Sequence, residues 1–165
     1  MSSTQRGPYI GSMTRLVWQW VRRQIHAEVV AAGYDDLNPA HVSVFRYPSV
    51  EGWRPSQLAD DMQITKQSVN ELLGYLEKRG YLLRERDPYN SRSRIIRLTD
   101  RGQAVEDTTF RAAENAERIA GELLGKGRVQ ELRRTLADLV DALNLADKRA
   151  TGNETLPSED APGVM

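Results

Sequence analysis

The sequence predicts a mainly α-helical chain with one small β-hairpin, and three observations carry that reading. Apolar residues recur at three- and four-residue spacing, as in Val69, Leu72, Leu73 and Leu76, which places them on one side of a 3.6-residue helix. Helix start and stop signals punctuate the chain, among them Asn38-Pro39, Arg54-Pro55 and Gly80. One alternating segment, 81–86, is followed by the turn formers Asp87-Pro88-Tyr89-Asn90-Ser91 and then by Arg94-Ile95-Ile96-Arg97-Leu98, the pattern of two antiparallel strands. The length of 165 residues suits one domain with a real core.

The elements follow in order. Residues 1–11 are polar and read as a flexible N-terminus. Ser12 can cap a first helix that stops at Gly33. Its apolar residues, including Met13, Leu16, Val17, Trp18, Trp20 and Val21, cover more than one face, as in a helix buried by a partner chain. Asn38-Pro39 starts a short helix carrying Val42, Val44 and Phe45. Arg54-Pro55 opens the next helix, with Leu58, Ala59 and Met62 inward, and Gln63-Ile64 forms a turn. Thr65 caps a further helix that ends in Lys78-Arg79-Gly80. The hairpin then has a loop of six to eight residues. Thr99 caps a long helix, Gly125 and Gly127 break it, and a last helix carries Leu132, Leu136, Leu139, Val140 and Leu143 at near-heptad spacing. Residues 148–165 are acidic, bear Pro and Gly, and read as a disordered tail.

Formal net charge is zero, with 23 basic and 23 acidic side chains. That argues against coating nucleic acid by bulk electrostatics. The distribution says more: residues 78–101 hold eight basic groups against three acidic ones, a balance of +5, as expected of a localised anion-binding face. The absence of cysteine excludes a disulfide framework, a thiol nucleophile, a thiolate zinc site and thiol redox sensing. The two histidines, His26 and His41, lack metal-ligand spacing. No apolar run approaches a membrane span, and the N-terminus lacks the apolar region of a secretory signal. With no catalytic constellation and no cofactor motif, the expectation is a cytoplasmic protein that is not an enzyme.

The chemistry concentrates in residues 54–102: helix, short turn, helix, hairpin. Ala59 is small where two crossing helices must approach, and Gln63 stands where such turns often place glycine, so it requires another turn geometry or a strained backbone. Thr65, Lys66, Gln67, Ser68 and Asn70 lie near the start of the second helix, away from its apolar stripe. Lys, Gln, Asn and Ser are the side chains that read base edges, and a helix N-terminus offers N–H donors to a phosphate. In the hairpin, Arg92 is nearest the tip and suits insertion into a narrow minor groove. Arg84 and Arg94 suit phosphate contacts, whereas Arg86 and Arg97 could equally pair with Asp87, Asp100 or Glu85.

The runs Leu58-Ala59, Thr65 to Val69, Leu76-Glu77-Lys78-Arg79-Gly80-Tyr81-Leu82, Arg86-Asp87-Pro88, Arg92 and Arg97-Leu98-Thr99-Asp100-Arg101-Gly102 resemble the MarR family of transcriptional regulators, over about residues 12–145. The resemblance implies a winged helix-turn-helix protein with flanking dimerisation helices: 12–47 for dimerisation and a possible effector region, 48–102 for DNA binding, and 103–147 again for dimerisation. It implies a homodimeric repressor that binds a pseudo-palindromic operator in double-stranded DNA and is released by a small, often aromatic, effector. Thr65, Lys66, Gln67, Ser68 and Asn70 then fall on the recognition helix and Arg92 on the wing. Trp18, His26, His41, Phe45 and Trp53, with Trp20 and Tyr47 nearby, fall where the family places its effector site. Asn90 stands where the wing usually has Asp, which removes a charge that would orient Arg92. The rival reading is a winged-helix module that binds protein without specific DNA binding; the arginine wing distinguishes the two, because such a module has no need of it.

Overall fold

The computed structural model describes residues 8–46 and 48–150, the last six by backbone alone. Expectations for 1–7, for Tyr47 and for the chain beyond Ala150 lie outside the described residues. The chain divides into two compact units between Glu117 and Arg118. Among the described residues no helix is long and apolar enough to cross a membrane.

Helix α1 spans Ile10–Ala31. It starts two residues before the expected Ser12, because the Tyr9 carbonyl accepts from both Ser12 N (2.9 Å) and Met13 N (3.1 Å) and closes the first turn there. Helix α2, Pro39–Val42, is held by a reciprocal cap. The Asn38 side chain accepts from Ala40 N and His41 N, and the His41 ring accepts from Asn38 N at 3.3 Å. Helix α3, Pro55–Met62, ends on Gln63 with φ 54 and ψ 40, so of the two expected alternatives the strained, left-handed backbone is the one found. Gln63 Nε2 donates to Asp60 O at 2.6 Å and partly offsets the strain. Helix α4, Lys66–Lys78, packs on α3 through Val69, Leu73 and Leu76, which join Leu58 and Ala59 in the core.

Strand β1, Leu82–Asp87, pairs antiparallel with β2, Asn90–Leu98. The hairpin is tighter than expected: only Pro88 and Tyr89 separate the strands, not six to eight residues. Asp87 explains this, since its Oδ1 accepts from Tyr89 N at 2.9 Å and turns the chain at once. The surplus length sits in β2 instead. Arg86 pairs with Arg94 and Asp87 with Asn90, so residues 91–93 bulge from the ladder. On the other side of β2, Gly52 N donates to Ile96 O and Ile96 N to Trp53 O, both at 2.8 Å, which fixes the segment before α3 to the wing.

Helix α5, Asp100–Leu124, begins at the expected Thr99 cap, whose Oγ1 accepts from Gly102 N at 3.1 Å. Its inward face in the first unit is Gly102, Val105, Thr108, Thr109, Ala112 and Ala116. Gly125, at φ 93, ends α5, and its carbonyl accepts from Arg128 N and Val129 N to begin α6, Lys126–Ala150. One glycine therefore makes the break, and Gly127 lies inside the first turn of α6. That helix also continues through residues 148–150, where the tail was expected to begin.

Candidate nucleic-acid interface

The amino end of α4 presents the expected side chains. Thr65, Lys66, Gln67 and Asn70 are exposed and Ser68 is half-buried. Thr65 Oγ1 accepts from Ser68 N at 3.1 Å and lies 2.9 Å from Ser68 Oγ, so these two hydroxyls form the cap itself. Gln67 is steered along the helix by Glu71, with Nε2 to Oε1 at 3.1 Å. Among the described residues Lys66 has no acidic partner within ion-pair distance.

The wing sorts its arginines into braces and free cations. Arg84 donates from Nε (2.9 Å) and Nη2 (2.5 Å) to Glu77 Oε2, and its backbone N–H meets Oε1 at 3.2 Å. Arg84 also reaches Asn70 Oδ1 at 3.4 Å. The hydrogen bonds from Arg84 hold the Glu77 carboxyl below its usual range, against the opposing effect of burial. Arg84 thus ties the wing to α4 and is engaged there, not free. Arg94 donates from Nη1 to Arg84 O at 3.0 Å, and its charge also helps to lower the pKa of Glu77. Arg97 pairs with Glu51 (2.8 Å) and Glu85 (3.5 Å). Of the three acids open to Arg86 and Arg97 in the sequence, Glu85 is the partner found, and it belongs to Arg97.

Arg92 sits in the bulge, exposed and with no acidic partner among the described residues. Asn90 does there what an Asp could do by hydrogen bonding alone: its Oδ1 accepts from Arg92 N at 3.2 Å and fixes the backbone that carries the guanidinium. The wing's other anchor was missed by the sequence reading. Arg54 donates from Nε (2.9 Å) and Nη2 (2.7 Å) to Asp87 Oδ2. The Tyr89 N–H, and then Arg54, lower the pKa of Asp87 below the ordinary carboxylate value. Arg54 drew notice only as the residue before a helix-starting proline, and a contact across 33 positions leaves no local signal.

The basic stretch of residues 78–101 therefore resolves into two groups. Arg79 and Arg101 meet Asp36 at 3.1 and 3.7 Å, and Arg84 and Arg97 are paired as above. Lys78, Arg86, Arg92 and Arg94 have no acidic partner within ion-pair distance among the described residues. Asp36 is the hub behind the helix. Burial would raise its pKa, but the Tyr81 hydroxyl at 2.6 Å and the two arginines outweigh that and lower it. Tyr81 is pushed up to about 12, by burial and by the hydrogen bond to Asp36.

The aromatic candidates for an effector site divide. Trp18, His26 and Phe45 line a cavity of about 340 Å³ with Arg22, Arg46 and Phe110. His26 Nε2 donates to Leu37 O at 2.9 Å, since a carbonyl can only accept. His41 and Trp53 are not in that lining. His41 is buried, engaged in the α2 cap and stacked on Tyr75 with ring centroids 3.9 Å apart; burial depresses its pKa. Trp53 packs against the core.

Residues 35–93 match the model of the MarR family. No curated protein matches by sequence. The fold is similar to a crystal structure of MarR, at 21% identity over 89% of this chain and 99% of that one, with a TM-score of 0.71. It is similar to the transcriptional repressor CouR bound to a 23-mer DNA duplex, at 24% identity over 85% and 98% of the two chains, TM-score 0.64. It is also similar to CouR from Rhodococcus jostii RHA1 bound to p-coumaroyl-CoA, at 24% identity over 79% and 90%, TM-score 0.62. The chain has the winged-helix fold of those regulators.

Proposed function

We infer that this chain, a MarR-family winged helix over residues 35–93, is a sequence-specific DNA-binding transcriptional regulator. One observation carries the reading: the exposed amino end of α4 and the bulged, unpaired Arg92 belong to one braced body, because Arg84–Glu77 clamps wing to helix. A major-groove reader and a minor-groove probe must keep a fixed separation, and that clamp supplies it. Lys66, Gln67 and Asn70 would read base edges, with Thr65 and Ser68 setting the helix start; Arg92 would enter the minor groove, and Arg86 and Arg94 would hold phosphates.

The protein acts as a homodimer in this reading. Ile10, Met13, Leu16 and Val17 on α1 are 45–65% exposed, and Leu132, Leu136, Leu139, Val140 and Leu143 on α6 are 40–57% exposed. Apolar rows of that length are unfavourable in water and suit burial against a second copy. Two copies place their half-sites about one helical turn apart on a pseudo-palindromic operator. Repression in the cytoplasm, relieved by a small ligand in the Trp18–Phe45 cavity, completes the proposal. It is supported by the likeness to a DNA-bound and a ligand-bound relative.

The test is an electrophoretic shift on the gene's own upstream DNA at several salt concentrations. Arg92→Ala is expected to weaken binding and to reduce the salt slope by about one counterion. Gln67→Ala is expected to cost about 1–3 kcal/mol and to relax base preference. Parent-like binding by both variants would rule the helix-and-wing mechanism out. An unshifted parent would instead favour a protein-binding module.

A further inference from the structure

The tip of the hairpin presents two side chains, Arg92 and Tyr89. Tyr89 is 96% exposed, more than any other large apolar side chain among the described residues. An aromatic side chain carries a large apolar area to bury, and this one buries almost none of it within its own fold. The exposed apolar residues of α1 and α6 form rows along helices, whereas Tyr89 stands at the apex of the hairpin. The turn that carries it is built to hold it. Asp87 Oδ1 accepts from Tyr89 N at 2.9 Å, and Asp87 Oδ2 accepts from Arg54 Nη2 and Nε, at 2.7 and 2.9 Å, at the start of α3. Pro88, between Asp87 and Tyr89, has a fixed φ. The same device then recurs: Asn90 Oδ1 accepts from Arg92 N, also two positions on, at 3.2 Å. Two successive side-chain turns thus fix the backbone of Tyr89 and of Arg92, a ring and a guanidinium at one tip. A side chain on backbone already ordered loses less entropy when it meets a partner.

We propose that Tyr89 is a second contact of the wing with DNA and the one that selects A·T pairs beneath it. Its ring enters the minor groove beside Arg92 and lies edge-on against the floor and the sugars. The inference rests on the DNA-binding reading above. Arg92 brings charge, which the phosphates attract whatever the sequence. The minor groove is about 6 Å wide, and the guanine 2-amino group is what distinguishes G·C from A·T on its floor. An apolar ring edge cannot satisfy that amino group and is displaced by it, whereas over A·T pairs the ring finds room. Apolar side chains are a recurrent means of engaging this groove.

The test uses the full-length protein and the gene's own upstream DNA. Hydroxyl-radical footprinting locates the minor-groove segments that the parent protects. The A·T pairs in them are then exchanged for G·C or for I·C, inosine being guanine without its 2-amino group. The parent is expected to bind the G·C version about tenfold more weakly, as for one mismatched pair, and the I·C version as well as the original. Tyr89→Ala should lose about tenfold on the original DNA and should no longer distinguish the three DNAs. Its salt slope should be unchanged, because no phosphate contact is lost, and its melting temperature should equal the parent's, because the side chain is exposed. Arg92→Ala should show the converse, a reduced slope with the preference kept, and Tyr89→Phe should behave as the parent. Protected segments devoid of A·T pairs, parent-like affinity in Tyr89→Ala, a preference surviving in it, or equal parent binding to the G·C and I·C versions would each overturn the proposal while leaving DNA binding in place. A parent that shifts none of its upstream DNA would overturn both.

Discussion

Two single residues show how backbone geometry constrains this chain. Gln63 occupies the left-handed region at φ 54 to turn α3 into α4. A side chain there costs about 1–2 kcal/mol that glycine does not incur, and glycine's extra freedom in the unfolded chain returns part of it. Gln63→Gly is therefore expected to stabilise the protein by about 0.5–1 kcal/mol, read as a higher denaturant midpoint with an unchanged slope. Gly102 is required for the opposite reason, close approach: a Cβ there would stand 2.0 Å from Tyr81 O. Gly102→Ala must push α5 away from the carbonyl that follows α4. It should cost about 2–3 kcal/mol, visible as a lowered melting temperature.

At the scale of elements, the wing is held at both ends by ion pairs rather than by a core of its own. Arg84–Glu77 fixes its root to α4, and Arg54–Asp87 fixes its turn to the start of α3. Arg54→Ala leaves the buried Asp87 carboxylate with backbone amides alone, those of Tyr89 and Asn90, and no cation. The expected outcome is faster amide exchange across residues 82–98 and weaker binding to upstream DNA, with little change in the helices. A wing as protected in the variant as in the parent would show that the strand ladder alone suffices. Element identity was legible in the sequence because caps and apolar periods are local: Asn38, Thr65 and Thr99 each cap the helix they announce. The hairpin's tip was less legible. Its two-residue turn depends on one carboxylate accepting one amide, and composition alone does not distinguish that from a longer loop.

Across the whole molecule, the titratable groups pull in two directions with pH. Asp36 and Glu77 are lowered from ordinary values of 3.8 and 4.5. Their contribution is present above those values and is lost as pH falls through the lower folded ones. Glu106 is raised, chiefly by burial, and its Oε1 is buried with no hydrogen-bond partner. A raised carboxyl favours folding below its unfolded value of 4.5 and withdraws that contribution as pH rises through the folded one. Glu106→Gln should therefore raise the thermal midpoint at pH 7, with the gain vanishing near pH 4, where the parent carboxyl is protonated. An equal midpoint at pH 7 would refute this. By itself the sequence determined the helices, the hairpin, the exposed polar start of α4 and the place of Arg92 in the hairpin, because caps, periods and turn residues act over a few positions. Only the tertiary structure decided which arginines are braces and which are free, and which aromatics line a cavity. The partners of Arg54, Arg46 and Arg97 lie 33, 15 and 46 residues away, and charge counted along the chain cannot show pairing across it.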